Sequence, residues 1–441
     1  MVNYYSAIVQ NIMVGLICFC CPGMFNALSG MGGGGQVDPT VAAQAATALY
    51  VTFAIFGVFG GAFVNTFGPK ITLVTGGLTY AFYSCSFLAY NHIQSRVFVI
   101  IAGAVLGIGA GLLWSAQGAL MMAYPTQNEK GKFISIFWVI FNLGGVLGGL
   151  ISFGINYKNP SPTVTDGTYI AFIVIMAFGA GIGLVMAPIE KVVKSDGTGI
   201  TVNKAPAVKG EIVGVLKVFT EWRMIVLLPL FFVSNFFYTY QFNSYNGTTF
   251  TIRTRGLNNV VYWGSQMVGS VLLGFLLDTP RLTRKMRGII SFIIVVAIMT
   301  SVWIGGYFTQ VIRTEEGVLP EADRVDFSSS NYGPLLVMYL CYGLSDAMIQ
   351  SWSYWIMGTM SNDAATLSRY AGFYKGVQSI GAAVAWAIDS NGTVSQMTQL
   401  ITNWALFSAA VIPAIFMTFT IKEYTDSEEP APEYEKKQVD H

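Results

Sequence analysis

Apolar stretches recur twelve times along the 441 residues, each close to the roughly 20 residues that a helix needs to cross a bilayer. They cover approximately residues 5–29, 43–66, 71–90, 97–122, 133–155, 169–187, 223–247, 259–278, 288–309, 333–357, 371–389 and 397–420. Short polar segments separate them. The pattern predicts an all-α polytopic membrane protein with twelve transmembrane helices.

The longest polar segment lies between the sixth and seventh spans and divides the chain. We expect an N-terminal six-helix bundle over 1–187, a cytoplasmic linker over 188–222, a C-terminal six-helix bundle over 223–420 and a disordered cytoplasmic tail over 421–441. Within the linker, the stretch from Val208 to Phe219 is amphipathic, which predicts a helix lying on the membrane surface.

The composition supports a membrane protein and argues against several other classes. Only 11% of the residues are charged, whereas soluble domains carry about 25%. The net charge of +1 argues against a nucleic-acid partner. All five cysteines fall inside spans, and the two histidines are far apart, so neither a metal site nor a catalytic cluster is indicated. We therefore predict no cofactor and no enzymatic activity.

The basic residues and the glycosylation motifs predict the orientation. Most of the 24 lysines and arginines fall in segments on the side of both termini, which places that side in the cytoplasm. Two Asn-Gly-Thr motifs, at Asn246 and Asn391, then fall outside and are candidate glycosylation acceptors. We expect an integral protein of the plasma membrane or of an endomembrane.

A short motif follows both the second and the eighth spans. Its residues are Gly61, Asn65 and Lys70 in the first copy and Gly274, Asp278 and Arg281 in the second. A repeat in opposite halves is typical of the major facilitator fold, in which a six-helix unit is used twice as two pseudo-repeats. Since Asn65 replaces the acid that the motif usually has, we expect a weaker cytoplasmic gate in the first half.

Asp346 is the most unusual polar residue, because it lies near the middle of the tenth span. An unpaired carboxylate at that depth costs several kcal/mol, so such residues usually face a cavity and have a function. Alternatively, Asp346 only ties two helices together by hydrogen bonds. Gln350 lies one turn further along the same helix face.

Lys375, in the eleventh span, has two interpretations. It either extends to the cytoplasmic interface with its apolar stem in the membrane, or it provides a counter-charge, so that Asp346 and Lys375 form a coupling pair. Gln378 follows near the midplane, and Asn142 lies at a similar depth in the fifth span. Both amides either connect helices or line a cavity.

In facilitator folds the first, fourth, seventh and tenth helices line the central cavity. Here these spans hold polar residues and no basic one, which favours a neutral or cationic solute. The candidate residues of the substrate path are Asn26, Gln117, Asn142, Asn235, Tyr238, Gln241, Asn243, Asp346, Gln350 and Gln378.

Three stretches carry a family resemblance: CCPGMFNAL at 20–28, WSAQGA at 114–119, and EKGK at 129–132 leading to FW at 137–138. They resemble the fungal branch of the Unc-ninety-three-like family, which is related to the major facilitator superfamily. The resemblance implies a twelve-helix facilitator fold in a fungal, eukaryotic membrane. It also implies a link to channel regulation and to the escort of receptors, as in animal relatives.

Two functional hypotheses remain open. The first is a facilitator-type transporter of a small neutral or cationic solute, working by alternating access and coupled to protons at Asp346. The second is an accessory protein that does not transport and instead regulates or directs another membrane protein. The partner is accordingly a small-molecule solute or another membrane protein, within the lipid bilayer.

Overall fold

Helices account for nearly all of the residues described by the computed structural model, which are 3–30, 39–157, 166–203, 207–317, 319–390 and 392–425. The first six spans are α1 (Ala7–Cys18) with a π-helical turn (Phe19–Gly23) and α2 (Met24–Gly30), then α3 (Pro39–Phe67), α4 (Pro69–Ile93), α5 (Arg96–Ala123), α6 (Lys130–Asn156) and α7 (Asp166–Val185). The linker contains the short helix α8 (Val208–Val218).

The second half repeats this arrangement. Its spans are α9 (Trp222–Val233) with a π-helical segment (Tyr240–Gly247), then α10 (Ile252–Leu277), α11 (Arg284–Glu316), α12 (Tyr332–Met360), α13 (Ala364–Ser390) and α14 (Gln396–Phe419). Within the described ranges, extended backbone pairs only as isolated bridges. The prediction of an all-α protein with twelve spans is confirmed.

Three spans fall outside the set of long apolar helices, the seventh because its apolar helix Trp222–Val233 is short and the other two because of their composition. Nine of the described helices are long and apolar enough to cross a bilayer on that basis alone, and the seventh, tenth and eleventh spans are not among them. Helices α12 and α13 have 29 and 27 residues, so composition and not length sets them apart. Nearly all of α12 from Ser345 to Thr359 is buried inside the protein, where polar side chains avoid lipid.

The first and seventh spans are interrupted, although the sequence pattern predicts continuous helices. In the first span the π-helical turn contains Pro22, which cannot donate an α-helical hydrogen bond. In the seventh, α9 ends at Val233, and helical structure resumes in π geometry at Tyr240. Such π-helical turns are frequent at functional sites.

Both ends of the described chain and the linker lie on one face of the protein, called here the linker face. The backbone of Val193 in the linker exchanges hydrogen bonds with Tyr5 and Ala7 at 2.9 Å. Near the other end, Gln127 Nε2, in the loop between α5 and α6, donates to Thr425 Oγ1 at 3.1 Å. An even number of spans requires this arrangement.

The turn between α3 and α4 is formed by Gly68 and Pro69, which lie between Asn65 and Lys70 of the first motif copy. Gly68 adopts a φ of 83°, a region that side chains with a Cβ rarely enter. Pro69 then occupies the first position of α4, where its missing N–H costs nothing. The Gly-Pro pair therefore reverses the chain within one residue and directs α4 back into the membrane.

Candidate translocation cavity

A cavity of about 80 Å³ lies between the two halves, near the middle of the spans. At about 15 Å³ for one water, it has room for roughly five water molecules or a small solute. Ala110 of α5 and Gln350 of α12 line it and lie near the centres of their helices. The full lining is Pro22, Phe25, Asn26, Leu49, Tyr50, Phe53, Tyr80, Leu106, Ala110, Trp114, Trp138, Phe141, Asn235, Tyr238, Gln350, Lys375 and Gln378.

The first half contributes a wall that is mostly aromatic, called here the aromatic wall. Seven of its twelve residues carry an aromatic ring, and Asn26 is its one amide. The rings support one another: Phe25 packs edge-on to Tyr80 at 5.9 Å between centroids, and Trp114 packs likewise on Phe141 at 5.3 Å. This wall is suited to contact the apolar part of a solute.

The second half contributes a smaller wall in which every residue is polar, called here the polar wall. Asn235 and Tyr238 come from the interruption of the seventh span, Gln350 from α12, and Lys375 and Gln378 from α13. These are the three spans that do not count among the long apolar helices. Each of them contributes polar side chains to the cavity.

Gln350 joins the polar wall into one network. Its Nε2 donates to Asp346 Oδ1 at 2.7 Å and lies 3.3 Å from Asn235 Oδ1. Its Oε1 accepts hydrogen bonds from Gln378 Nε2 at 3.1 Å and from Lys375 Nζ at 3.3 Å. The amide of Gln350 thus connects the acidic and the basic residue of the membrane interior.

Lys375 faces the cavity and not the interface. Its side chain is buried, and Nζ donates to Gln378 Oε1 at 2.7 Å. Nζ also lies 4.6 Å from the ring centroid of Trp114, 5.0 Å from that of Tyr374 and 5.4 Å from that of Tyr354. Rings at these distances stabilise a cation. The interpretation in which Lys375 extends to the cytoplasmic interface is wrong.

Asp346 is fully buried behind the polar wall. Its Oδ2 accepts from Gln266 Nε2 at 2.7 Å and from Tyr262 Oη at 3.1 Å, and its Oδ1 accepts from Gln350. It forms no direct ion pair with Lys375; the two groups are connected through Gln350. The carboxylate therefore acts on the cavity through Gln350 and through its hydrogen bond to the lining residue Tyr238.

The Tyr262 hydroxyl allows this network to accept a proton. It lies 2.8 Å from Gln241 Oε1 and 3.1 Å from Asp346 Oδ2, but it has only one hydrogen to donate. If Asp346 were protonated, it could donate to Tyr262, which would then donate to Gln241. Proton uptake would reverse one hydrogen bond without leaving an oxygen unpaired.

Five residues of the expected substrate path do not line the cavity, namely Asp346 and Gln241, which share the Tyr262 hydroxyl, and Gln117, Asn243 and Asn142. Gln117 Oε1 accepts from Tyr354 Oη at 3.2 Å at a contact between the halves. Asn243 is exposed and donates to Asp389 at 2.6 Å. Asn142 is buried, but neither amide atom has a hydrogen-bond partner among the described residues, so no such bond connects it to a neighbouring helix.

The two candidate glycosylation acceptors differ. Asn246 has a side chain that is only 4% exposed, and its Oδ1 accepts from Asn258 Nδ2 at 2.9 Å. In this arrangement a glycan could not be attached there. Asn391 lies outside the described residues.

On the linker face, the second copy of the motif caps a helix of the other half. Asp278 Oδ1 and Oδ2 accept hydrogen bonds from the backbone N–H groups of Gly131 and Lys132 at 2.8 and 2.6 Å. A carboxylate is favourable at this helix start. Burial raises the pKa of Asp278 to about 6, against the lowering effect of these two N–H groups. Arg281 is exposed.

The first copy makes an analogous contact with the start of α13. Asn65 Nδ2 donates to Ala365 O at 3.1 Å, and its Oδ1 accepts from Ser368 Oγ at 2.8 Å. The missing acid is provided by the linker helix: Glu211 Oε2 accepts from Asn65 Nδ2 at 2.8 Å. Glu211 also forms an ion pair with Arg369 at 2.9 Å.

The motif glycines permit these approaches. A Cβ on Gly61 would lie 2.6 Å from the Cα of Arg369, and one on Gly274 would lie 2.8 Å from the carbonyl oxygen of Gly131. Either position is too close for any side chain. Lys70 is half-buried on the same face. Both copies of the motif therefore lie where the two halves meet.

Neither the role of Glu211 nor the aromatic wall is predicted by the sequence. Glu211 is 2% exposed on a short surface helix, and its burial comes from partners far away in sequence. The sequence feature that indicates this burial is the position of Glu211 on the apolar face of an amphipathic helix. The aromatic residues give no such signal, because rings occur throughout apolar spans.

Two six-helix halves around a central cavity define the major facilitator fold. The chain is similar to the fucose:proton symporter FucP of E. coli, with a TM-score of 0.67 and 11% identity over 94% of this chain and 99% of that one. It is also similar to the proton:xylose symporter XylE, with a TM-score of 0.63 and 14% identity over 96% and 97% of the two chains. These likenesses establish the fold alone.

The family described as "Ion channel regulatory protein UNC-93" matches residues 34–417. UNC93-like protein 1 of Arabidopsis thaliana is 47% identical over 97% of this chain and 93% of its own. An UNC93-like protein of Schizosaccharomyces pombe is 43% identical over 93% and 82%. This chain belongs to the UNC-93 family. Plant and yeast relatives are similarly close, so the comparisons support the family and not a fungal branch of it.

Proposed function

We propose that this protein transports a small solute by alternating access, with the first six spans rocking against the last six about the cavity. The cavity carries the proposal: both halves line it, and one of them presents only polar residues there, including a buried lysine. Polar groups at this depth are costly, which is the usual mark of a substrate or ion pathway.

The contacts on the linker face supply a gate for this motion. Asp278 bonds to backbone N–H groups of the other half, and Asn65 bonds to the start of α13. Each of these contacts joins one half to the other, so it can break while both halves stay folded. We assign the linker face to the cytoplasm, in accordance with the distribution of lysine and arginine.

The lining favours a neutral or anionic solute over the cationic one that the sequence allowed. Lys375 faces the cavity, and none of the described lining residues is acidic. Coupling to protons is part of the proposal, because Asp346 can exchange a proton within a closed network that reaches the cavity at Gln350.

A second candidate function is the regulation of another membrane protein. The observation that favours it is the family description, which names ion channel regulation. In that case the cavity would not need to open, and changes in its lining would leave the partner protein's activity intact.

A cysteine-accessibility experiment separates the two functions. The five native cysteines are replaced, and Asn26→Cys is treated with a membrane-impermeant thiol reagent from either side of oriented vesicles. We expect labelling from the face opposite the linker. With Glu211→Gln and Asp278→Asn added to weaken the gate, we expect labelling from the linker face as well.

Ala102→Cys is the control, because Ala102 is buried and does not line the cavity. It should stay unlabelled from both sides. If Asn26→Cys reacts from the same single face in both gate backgrounds, or from neither, alternating access is rejected and the regulatory function is retained.

A further inference from the structure

The charge balance of the cavity identifies the kind of solute. Lys375 is the one charged residue among the described lining residues, and its side chain is only 4% exposed. Its hydrogen-bond partners, Gln350 and Gln378, are both neutral. No carboxylate within the described ranges forms a direct ion pair with it, and Asp346 acts on it only across the amide of Gln350.

A buried ammonium group is normally compensated by an anion, because neutral partners and aromatic rings offset only part of its lost hydration. An ammonium has three hydrogens to donate, and the two amide oxygens account for two of them. The open space next to Lys375 is the cavity, so an acceptor for the third hydrogen can lie there. The structure therefore has a place for a negative group in contact with Lys375.

We propose that the cavity binds a small organic anion, with one carboxylate at Lys375 and an apolar body against the aromatic wall. This inference rests on the proposed transport function and specifies its substrate class. A single lysine without an arginine matches one negative charge, whereas a phosphate dianion would remain half compensated. Phe25 and Trp138 on the facing wall offer no charge to a second acidic group.

Paired probes test the proposal. The thermal unfolding of the purified full chain is measured with benzoate and benzamide, and with butyrate and butyramide, at equal ionic strength and neutral pH. Each amide has the shape of its acid without the charge. We expect the carboxylates to raise the unfolding temperature and the amides to leave it unchanged.

Lys375→Met should weaken carboxylate binding at least about tenfold, the usual effect of losing a hydrogen bond to a charged group. The variant itself should be as stable as the wild type or more so, since replacing a buried charge by an apolar isostere is often favourable. Lys375→Arg should retain binding. Lys217→Met, on the exposed side of α8, is the matched control and should bind normally.

The proposal is overturned if the amides stabilise as well as the acids, if no carboxylate shifts unfolding, or if Lys375→Met binds normally. None of these outcomes changes the accessibility of Asn26→Cys. Conversely, a carboxylate shift without access from both faces would reject transport and keep the anion site. The two failures are therefore distinguishable.

The linker helix supports an independent second inference. In the second copy of the motif, Asp278 supplies the acid of the gate, whereas the first copy has Asn65 in that place. Glu211 of α8 fills the role and holds Arg369 through both carboxylate oxygens at 2.9 to 3.1 Å. The side chain of Glu211 is 3% exposed and that of Arg369 is 15% exposed.

We infer that α8 is part of the gate: it contributes the carboxylate that the motif lacks and fastens α3 of one half to α13 of the other. Opening of the linker face then requires α8 to leave its site. Two acids at the positions of Asn65 and Glu211 would repel each other at the present 2.8 Å, so the standard motif acid and the linker acid exclude one another.

A charge-exchange experiment tests this role through amide hydrogen exchange of residues 208–218. Glu211→Gln and Asn65→Asp should each accelerate exchange about tenfold, the first by loss of the ion pair and the second by repulsion. The double variant should return toward the wild type, because the introduced acid can pair with Arg369. Glu221→Gln, in the same linker, should have no effect.

The inference is overturned if neither single variant changes the amide exchange rate of residues 208–218. It is also overturned if the accelerations of the two single variants add in the double variant. This readout concerns only the docking of α8, so it does not depend on whether the protein transports.

Discussion

The two walls of the cavity are built on different principles. The aromatic wall consists mostly of rings and aliphatic groups that pack on one another, and it comes from spans that are long and apolar enough to cross a bilayer. The polar wall is one hydrogen-bonded network, and it comes from one span with a short apolar helix and two spans of more polar composition. One half of the protein thus provides shape, and the other provides charge and hydrogen bonding.

The largest expected effect comes from removing the centre of the network. Gln350→Met keeps the side-chain length but removes hydrogen bonds to Asp346, Lys375 and Gln378. We expect a loss of about 3 kcal/mol in unfolding free energy, because two buried charges lose a partner. Leu49→Met is the matched change on the aromatic wall and should cost less than about 1.5 kcal/mol. If Gln350→Met and Leu49→Met lower the unfolding free energy of the detergent-solubilised protein equally, the two walls do not differ in their contribution to stability.

A smaller effect is expected in the coupling between residues of one wall. Gln350→Met and Gln378→Met share Lys375 as a partner, so their combined effect should differ from the sum by about 1 to 3 kcal/mol. Leu49→Met and Trp138→Phe share no hydrogen bond, and their effects should add to within about 0.5 kcal/mol. A double-mutant cycle from chemical unfolding measures both. Additivity on the polar wall would contradict the network.

The smallest effect should come from an indole on the aromatic wall. Trp138 Nε1 is buried without a hydrogen-bond partner among the described residues, whereas Trp352 Nε1 donates to Gly288 O at 3.3 Å. Trp138→Phe should therefore change stability by less than Trp352→Phe, with a difference of about 1 kcal/mol. Chemical unfolding of the two variants measures this difference. A larger cost at Trp138 would mean that its N–H is bound after all.

The fold could be predicted from the sequence because each span carries its own signal. The apolar runs mark the spans, and the linker helix, expected from Val208 to Phe219, runs over Val208–Val218. Asn26, Asn235, Tyr238, Gln350 and Gln378 line the cavity, as expected for amides and a hydroxyl placed near the midplane.

What the sequence could not supply are relations between distant residues. Glu211 is buried because it binds Arg369, which lies 158 residues further along the chain, and no local sequence pattern connects the two residues. The sequence places Lys375 near the end of its span because the apolar run begins near residue 371. Helix α13 begins at Ala364, however, so Lys375 lies about three turns from the start of the helix. The first turns of α13 are polar, so the apolar run alone places the start of this helix too late in the sequence.

The interruptions of the first and seventh spans bear on where each half can bend. Each half begins with a span that changes from α to π geometry before its far end, over five residues in the first half and eight in the second. Sharp bends in helices concentrate at π-turns and at proline, because the regular backbone ladder is broken there. The first span of each half therefore has a built-in bending point, so that its two parts can move by different amounts while both stay helical.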